Sequence, residues 1–151
     1  MPIPHNTIVL LDTNVWVSAL INPNGFPARL RKAWAERRFL VVASEFLLQE
    51  IAEVLVRPRV RDKYGITDDE VATLIRLLRA RAICVTPDGS LHVCRDADDN
   101  LILETALLGG AQYIVSRDED ITRDAALRTQ LAERGIIPIS VSQLLELLEI
   151  D

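Results

Sequence analysis

The segment Thr7-Ile8-Val9-Leu10-Leu11-Asp12-Thr13-Asn14 indicates most directly how this chain folds. Residues 7–11 form a run without a charged side chain, which is typical of a strand buried on both faces of a sheet. Asp12 ends that run, and Thr13 and Asn14 place two further polar groups beside it. We therefore expect a parallel sheet covered by helices on both sides, with polar groups at the end of its first strand.

The rest of the chain alternates between short apolar segments and helical patterns, as α/β domains do. The predicted strands comprise residues 7–11, 39–42, 83–85, 113–115 and 136–139. The predicted helices comprise residues 14–20, 27–37, 45–57, 58–64, 67–81, 98–108, 123–134 and 141–149. No repeat, linker or low-complexity tract interrupts the alternation, so we expect residues 1–151 to form one α/β domain.

Composition argues against several classes of protein. The hydrophobic fraction of 49% supports a packed core, and no apolar run approaches the roughly 18 residues of a membrane span. The N-terminus lacks the basic and apolar stretches of a secretory signal, so a cytoplasmic location is expected. Cys84 and Cys94 lack metal-ligand spacing and are expected to be small core residues, while His5 and His92 stand alone. Zinc, thiol and Ser-His-Asp chemistry therefore lack their residues.

The charge of the chain is unevenly distributed. Net charge is −5, which argues mildly against a nucleic-acid partner. Residues 29–63, however, hold nine basic and five acidic residues, so this stretch is positive within an acidic chain. A basic flank beside an acidic centre suits a metal-dependent enzyme that acts on a polyanion, although solvated helix faces would give the same pattern.

Four acidic residues are placed where a site of a parallel sheet is expected, outside the carboxyl ends of the strands. Asp12 and Asp118 follow predicted strands, Asp99 opens a predicted helix, and Glu50 lies at the edge of an apolar helix stripe. Each has an ordinary alternative, such as a helix-capping acid, a loop aspartate or a carboxylate at the solvent boundary. If they converge, a divalent cation must offset their repulsion, and oxygen ligands alone select Mg²⁺ or Mn²⁺.

Four segments carry a resemblance to a known family. They are Leu10-Leu11-Asp12-Thr13-Asn14, Glu50 in the third predicted helix, Arg95-Asp96-Ala97-Asp98-Asp99-Asn100, and Val115-Ser116-Arg117-Asp118. In this order they resemble the PIN-domain nucleases, and within them the VapC-type toxins of toxin–antitoxin pairs. The resemblance implies a Rossmann-like, three-layer α/β/α sandwich around a parallel sheet of about five strands. It also implies one or two Mg²⁺ or Mn²⁺ ions, cleavage of single-stranded RNA, and a homodimer.

The resemblance also implies roles for individual residues. The catalytic and metal-binding acids would be Asp12, Glu50, Asp99 and Asp118, supported by Asn14 and Ser116. Asp96 or Asp98 remains an alternative to Asp99 or an addition to it. A bound ion would activate a water for in-line attack on phosphorus. Candidates for holding the RNA backbone are Arg57, Arg59, Arg61 and Lys63.

Other readings fit less well. A calcium loop counted from Asp96 would need Gly and Glu where Leu101 and Leu107 stand. A haloacid-dehalogenase-like phosphatase would need an acid in place of Asn14, and a response-regulator receiver a Lys beyond Lys63. Two readings stay open within the resemblance: an RNA-processing nuclease without an antitoxin, and a non-catalytic binding module. The small size favours the toxin, and hence an antitoxin protein as partner.

Overall fold

A computed structural model describes residues 2–117 and 124–150. The strands in these ranges are β1 (Ile8–Leu11), β2 (Leu40–Ala43), β3 (Ile83–Cys84), β4 (Tyr113–Val115) and β5 (Ile137–Ile139). The helices are α1 (Thr13–Ile21), α2 (Phe26–Ala35), α3 (Glu45–Val56), α4 (Pro58–Tyr64), α5 (Asp68–Arg81), α6 (Ala97–Leu108), α7 (Ala125–Glu133) and α8 (Val141–Leu147). Most predicted boundaries agree with these to within one or two residues. The predicted start of α7 at residue 123 lies outside the described residues.

The five strands form one parallel sheet in the order β3-β2-β1-β4-β5, which confirms the predicted parallel α/β architecture. Three consecutive residues of β1, from Val9 to Leu11, are buried. Because neighbouring side chains of a strand point to opposite faces, both faces of this strand are covered. The strand order reverses direction between β1 and β4, and ligands of open α/β sheets bind at such a switch point.

Local sequence explains several helix boundaries. The Ser44 hydroxyl caps α3 by accepting a bond from the Leu47 amide at 3.2 Å. Thr67 and Glu70 form a capping box at the start of α5. Helix α4 ends at Gly65, whose φ of 63° is the left-handed conformation that glycine adopts without strain. These boundaries were predictable because each depends on residues within one turn.

Two buried tryptophan rings join helices in the core. The rings of Trp16 and Trp34 meet edge to face, with their centroids 5.1 Å apart, and join α1 to α2 in the core.

Both cysteines are free, as predicted, but Cys84 is exposed rather than part of the core, because it ends the short outer strand β3. Within the described residues, no helix combines the length and the hydropathy that a bilayer crossing requires.

Candidate active site

Asp12 lies at the switch point because β1 and β4 pair in a particular register. Leu11 is the partner of Val115, so Asp12 and Ser116 are the first residues beyond the paired strands. The Asp12 amide extends the pairing by donating to the Val115 carbonyl at 2.9 Å. The buried Ser116 hydroxyl donates to Asp12 Oδ2 at 2.9 Å, and the Thr13 amide donates to Oδ1 at 2.7 Å. Both oxygens of this carboxylate are therefore oriented by the protein.

Glu50 reaches the same edge from α3. It accepts a hydrogen bond on Oε1 from the hydroxyl of Thr13, which is the first residue of α1. Partial burial raises the pKa of the Glu50 carboxyl, the Thr13 bond acts in the opposite direction, and the charges of Asp12, Asp98 and Asp96 raise it further. The Glu50 carboxylate thus lies in a partly desolvated environment of negative charge.

Asp99 enters from the first turn of α6. Asp96 caps this helix by accepting from the Asp98 amide at 2.7 Å, and both of these aspartates are exposed. The side chain of Asn100, only 7% exposed, fastens the preceding segment. Its oxygen accepts from the amides of Val93 at 3.0 Å and Cys94 at 2.7 Å, and its nitrogen donates to the Cys94 carbonyl at 3.0 Å. Asn100 therefore positions the turn of chain that presents Asp99.

The three acids line one cleft of about 340 Å³. Its other lining residues are Thr13, Asn14, Val17, Ser18, Val54 and Ile102. Asn14 lines the same cleft, and its Oδ1 accepts a hydrogen bond from the Arg117 amide at 3.3 Å, just beyond β4. The structure thus brings Asp12, Glu50 and Asp99 together, with Asp96 and Asp98 close enough to influence the Glu50 pKa.

The chemistry of this cleft fits a hard divalent cation. Its carboxylates supply oxygen ligands, and neither histidine nor cysteine is among the lining residues. Across residues 2–117 and 124–150, no set of three acidic, histidine or cysteine side chains is arranged to hold a metal ion by itself. Like charges repel, so a bound cation would offset the repulsion between these carboxylates.

Two predictions remain, the fourth acid Asp118 and the basic residues expected to hold RNA. Asp118 lies outside the described residues. The basic candidates belong to α4 or to the residue before it, and Arg61 pairs with the exposed Asp68 at 3.0 Å. Their proposed contact with RNA stays a prediction.

Sequence reasoning missed three contributors to the site. The direct bond from Thr13 to Glu50, the anchoring role of Asn100, and the reach of Arg117 toward α1 were not anticipated. Thr13 and Asn100 stand within the motifs already quoted, so their position beside an acid was an available signal. Arg117 also stands within a quoted motif, but its hydrogen bond to Ser18 joins residues 99 positions apart, which no local pattern indicates.

Comparison with known proteins agrees with this architecture. A family model described as the PIN domain matches residues 8–120, a range that includes all four predicted acids. The uncharacterized protein MJ1680 of Methanocaldococcus jannaschii is 32% identical over 113 residues, which cover 75% of this chain and 72% of that protein.

A solved structure shows the same fold. A chain in the crystal structure of VapBC2 from Rickettsia felis, bound to a DNA fragment from their promoter, superposes with a TM-score of 0.54. The match covers 89% of this chain and 98% of that chain at 15% identity. At that identity the likeness concerns the fold alone.

Proposed function

This chain belongs to the PIN domain family, and on that premise we propose that it is an endoribonuclease that cleaves single-stranded RNA with Mg²⁺ or Mn²⁺. The observation that carries the proposal is the cleft at the switch point, where Asp12, Glu50 and Asp99 lie together. Asp118 is proposed as the fourth acid. One or two ions bound there would activate water and stabilise charge on the phosphate.

Neighbouring residues of the chain orient the carboxylates of the cleft. Ser116 and the Thr13 amide hold both Asp12 oxygens, and the Thr13 hydroxyl holds Glu50. Ligands already held in place lose less conformational freedom when a cation and substrate bind. Val54 and Ile102 supply apolar contacts at the side of the cleft. The arrangement suits phosphodiester hydrolysis, in which positioning and charge stabilisation dominate.

Metal-dependent cleavage is the direct test of this proposal. Purified protein is incubated with a mixed pool of single-stranded RNA in Mn²⁺, in Mg²⁺ and in EDTA. Asp12→Asn keeps a side-chain oxygen for the Thr13 amide but loses the charge, so we expect cleavage to fall by at least about a hundredfold. Asp69→Asn makes the same change at an exposed position in the first turn of α5 and should leave cleavage unaltered.

Three outcomes decide between the readings. Cleavage that requires the metal and Asp12 supports the nuclease. Cleavage that persists equally in EDTA and in Asp12→Asn contradicts the site. A folded protein that neither cleaves the pool nor gains thermal stability from Mn²⁺ supports the non-catalytic binding module instead.

We further propose that this nuclease is the toxin of a toxin–antitoxin pair, acting as a homodimer and inhibited by an antitoxin protein. Membership in the PIN family and the shared fold with a VapBC2 chain support this reading. Induced expression in a bacterial host should arrest growth for the unaltered chain and not for Asp12→Asn. Normal growth at matched protein levels would favour an RNA-processing nuclease, and light scattering would test the dimer.

The basic face around α4 is proposed to hold the RNA backbone. Its residues are Arg57, Arg59, Arg61 and Lys63. The charge of Arg61 is partly offset by Asp68, so Arg59 and Lys63 should contribute more to binding. Replacing either by alanine should weaken RNA binding and reduce its dependence on salt.

A further inference from the structure

A second cavity opens beside the acidic cleft. It has a volume of about 690 Å³, within the ~300–1,000 Å³ typical of ligand sites. It lies between α1, α2 and α4 and is bounded by the loop of residues 22–25. Ser18 lines both this cavity and the acidic cleft, so the two border each other at this residue.

The exposed aromatic rings of the chain meet at this cavity. The chain has two Trp, two Tyr and three Phe, and both Trp residues and Phe39 are buried in the core. The two rings that are largely exposed are Phe26, at 56%, and Tyr64, at 44%, and both line this cavity. They come from different helices, the first residue of α2 and the last residue of α4. Exposing an aromatic ring forgoes the free energy of its burial, so two rings at one opening indicate a surface for binding.

Cationic groups accompany these rings. The Arg29 guanidinium lies 5.0 Å from the centre of the Phe26 ring, and the Lys63 ammonium lies 5.3 Å from that of Tyr64. Arg117 also lines the cavity, and its guanidinium donates to Oγ of Ser18, the residue shared with the cleft, at 2.8 Å. Flat apolar faces for bases, interleaved with cations for phosphates, are the chemistry of single-stranded nucleic acid binding.

We propose that this cavity is a nucleotide subsite for the RNA strand that is cut in the acidic cleft. The bases of nucleotides next to the scissile bond stack on Phe26 and on Tyr64, while Arg117, beside Ser18, holds an adjoining phosphate. This inference rests on the proposed nuclease function and specifies the path of the RNA strand across the protein surface. Stacking tolerates any base, so the subsite supplies affinity and register more than sequence choice.

Binding measured without cleavage tests the subsite separately from catalysis. A 5′-fluorescein-labelled single-stranded RNA pool is titrated with protein in EDTA and followed by anisotropy. Phe26→Ala and Tyr64→Ala should each weaken binding by at least about fivefold, the effect of losing one stacked base. Phe26→Tyr keeps the ring and should bind within about twofold of the unaltered protein. Leu108→Ala, which trims an equally exposed side chain at the end of α6, is the matched control and should have no effect.

The arginine beside Ser18 has its own test. Arg117→Ala should lower the slope of log affinity against log salt by about 0.7, the value for one phosphate contact on a single strand. Arg76→Ala, which makes the same change on the exposed surface of α5, should leave that slope unaltered. RNA carrying 5-iodouridine, irradiated on the protein, should crosslink to the peptide that contains Phe26 or Tyr64.

The outcomes separate this subsite from the proposed nuclease. If cleavage depends on Mn²⁺ but Phe26→Ala and Tyr64→Ala bind RNA as tightly as Leu108→Ala does, the subsite is wrong and the nuclease stands. A protein partner is then the better occupant of this cavity. Loss of RNA affinity in the ring variants of a protein that does not cleave would support the subsite and contradict the nuclease. If the unaltered protein binds no RNA in EDTA or in Mn²⁺, the subsite is overturned.

Discussion

Replacing Asn100 by alanine should destabilise the protein and loosen the acidic cleft together. The amide of Asn100 makes three hydrogen bonds to the backbone of Val93 and Cys94, at 2.7–3.0 Å, from a nearly buried position. Each such bond contributes about 1 kcal/mol net, so their loss should lower the free energy of unfolding by about 3 kcal/mol. The higher helix propensity of alanine offsets about 0.5 kcal/mol of this loss, so the free energy of unfolding should fall by roughly 2.5 kcal/mol.

The assay is urea unfolding of the metal-free protein, followed by far-ultraviolet circular dichroism. A loss of this size lowers Tm by roughly 5–10 °C in a chain of this length but leaves the protein folded at room temperature. Gln49→Ala, at an exposed position of α3, is the matched control and should change the free energy of unfolding by under about 0.5 kcal/mol. Asn100→Asp keeps the two acceptor bonds but sets a carboxylate oxygen against the Cys94 carbonyl at a buried position beside other acids, so its loss should be at least as large as that of Asn100→Ala.

The consequence for the site is measured on the same variant. Because Asn100 fastens the segment that leads into Asp96 and Asp99, the thermal stabilisation given by Mn²⁺ should shrink in Asn100→Ala. RNA affinity in EDTA should be unaltered, because the proposed subsite lies on other elements. An unfolding free energy equal to that of Gln49→Ala, with the full Mn²⁺ response, would refute this reasoning.

Three further predictions concern charge, packing and metal. Because the pKa of Glu50 is raised in the folded protein, the folded protein without metal binds that proton more tightly than the unfolded chain does. The free energy of unfolding should therefore fall as the pH rises from the ordinary pKa of a glutamate through the raised value. Glu50→Gln should flatten this part of a urea-midpoint series, and an unaltered slope would contradict the assignment. Gly109→Ala should lower the free energy of unfolding by about 1–3 kcal/mol. The reason is that the new Cβ would lie 2.1 Å from Val42 Cγ2. Adding Val42→Ala to the same chain should recover part of that loss in a double-mutant cycle. Adding EDTA to the Mn²⁺-loaded protein should lower its Tm, and Asp12→Asn should show no such dependence.

Several features of the site could be predicted because they depend on near neighbours. Asp12 follows an apolar run, and such a run indicates a buried strand whose end lies at the sheet edge. Asp99 stands in the first turn of an apolar helix, and Glu50 interrupts the edge of an apolar stripe. These signals placed the acids at one edge of the sheet, and the structure brings three of them to one cleft.

Other features depended on contacts between distant parts of the chain. Glu104 stands in an apolar helix, yet its buried carboxylate accepts hydrogen bonds from the backbone amides of Asp88 and Leu91. No local pattern in the sequence indicated these bonds. The exposure of Cys84 follows from the outer position of β3 in the sheet, and strand order is not encoded in the composition of one strand.

The sequence by itself determined which segments become strands and helices, where helices begin and end, and which strand end carries Asp12. Those properties depend on hydrophobic period and on capping within one turn of chain. Only the tertiary structure decided that Ser116 orients Asp12 across 104 residues and that Thr13 holds Glu50. It alone placed Phe26 and Tyr64 at one cavity. The physical reason is that strand register and helix packing are chosen by the whole core, whose many weak contacts no short segment contains.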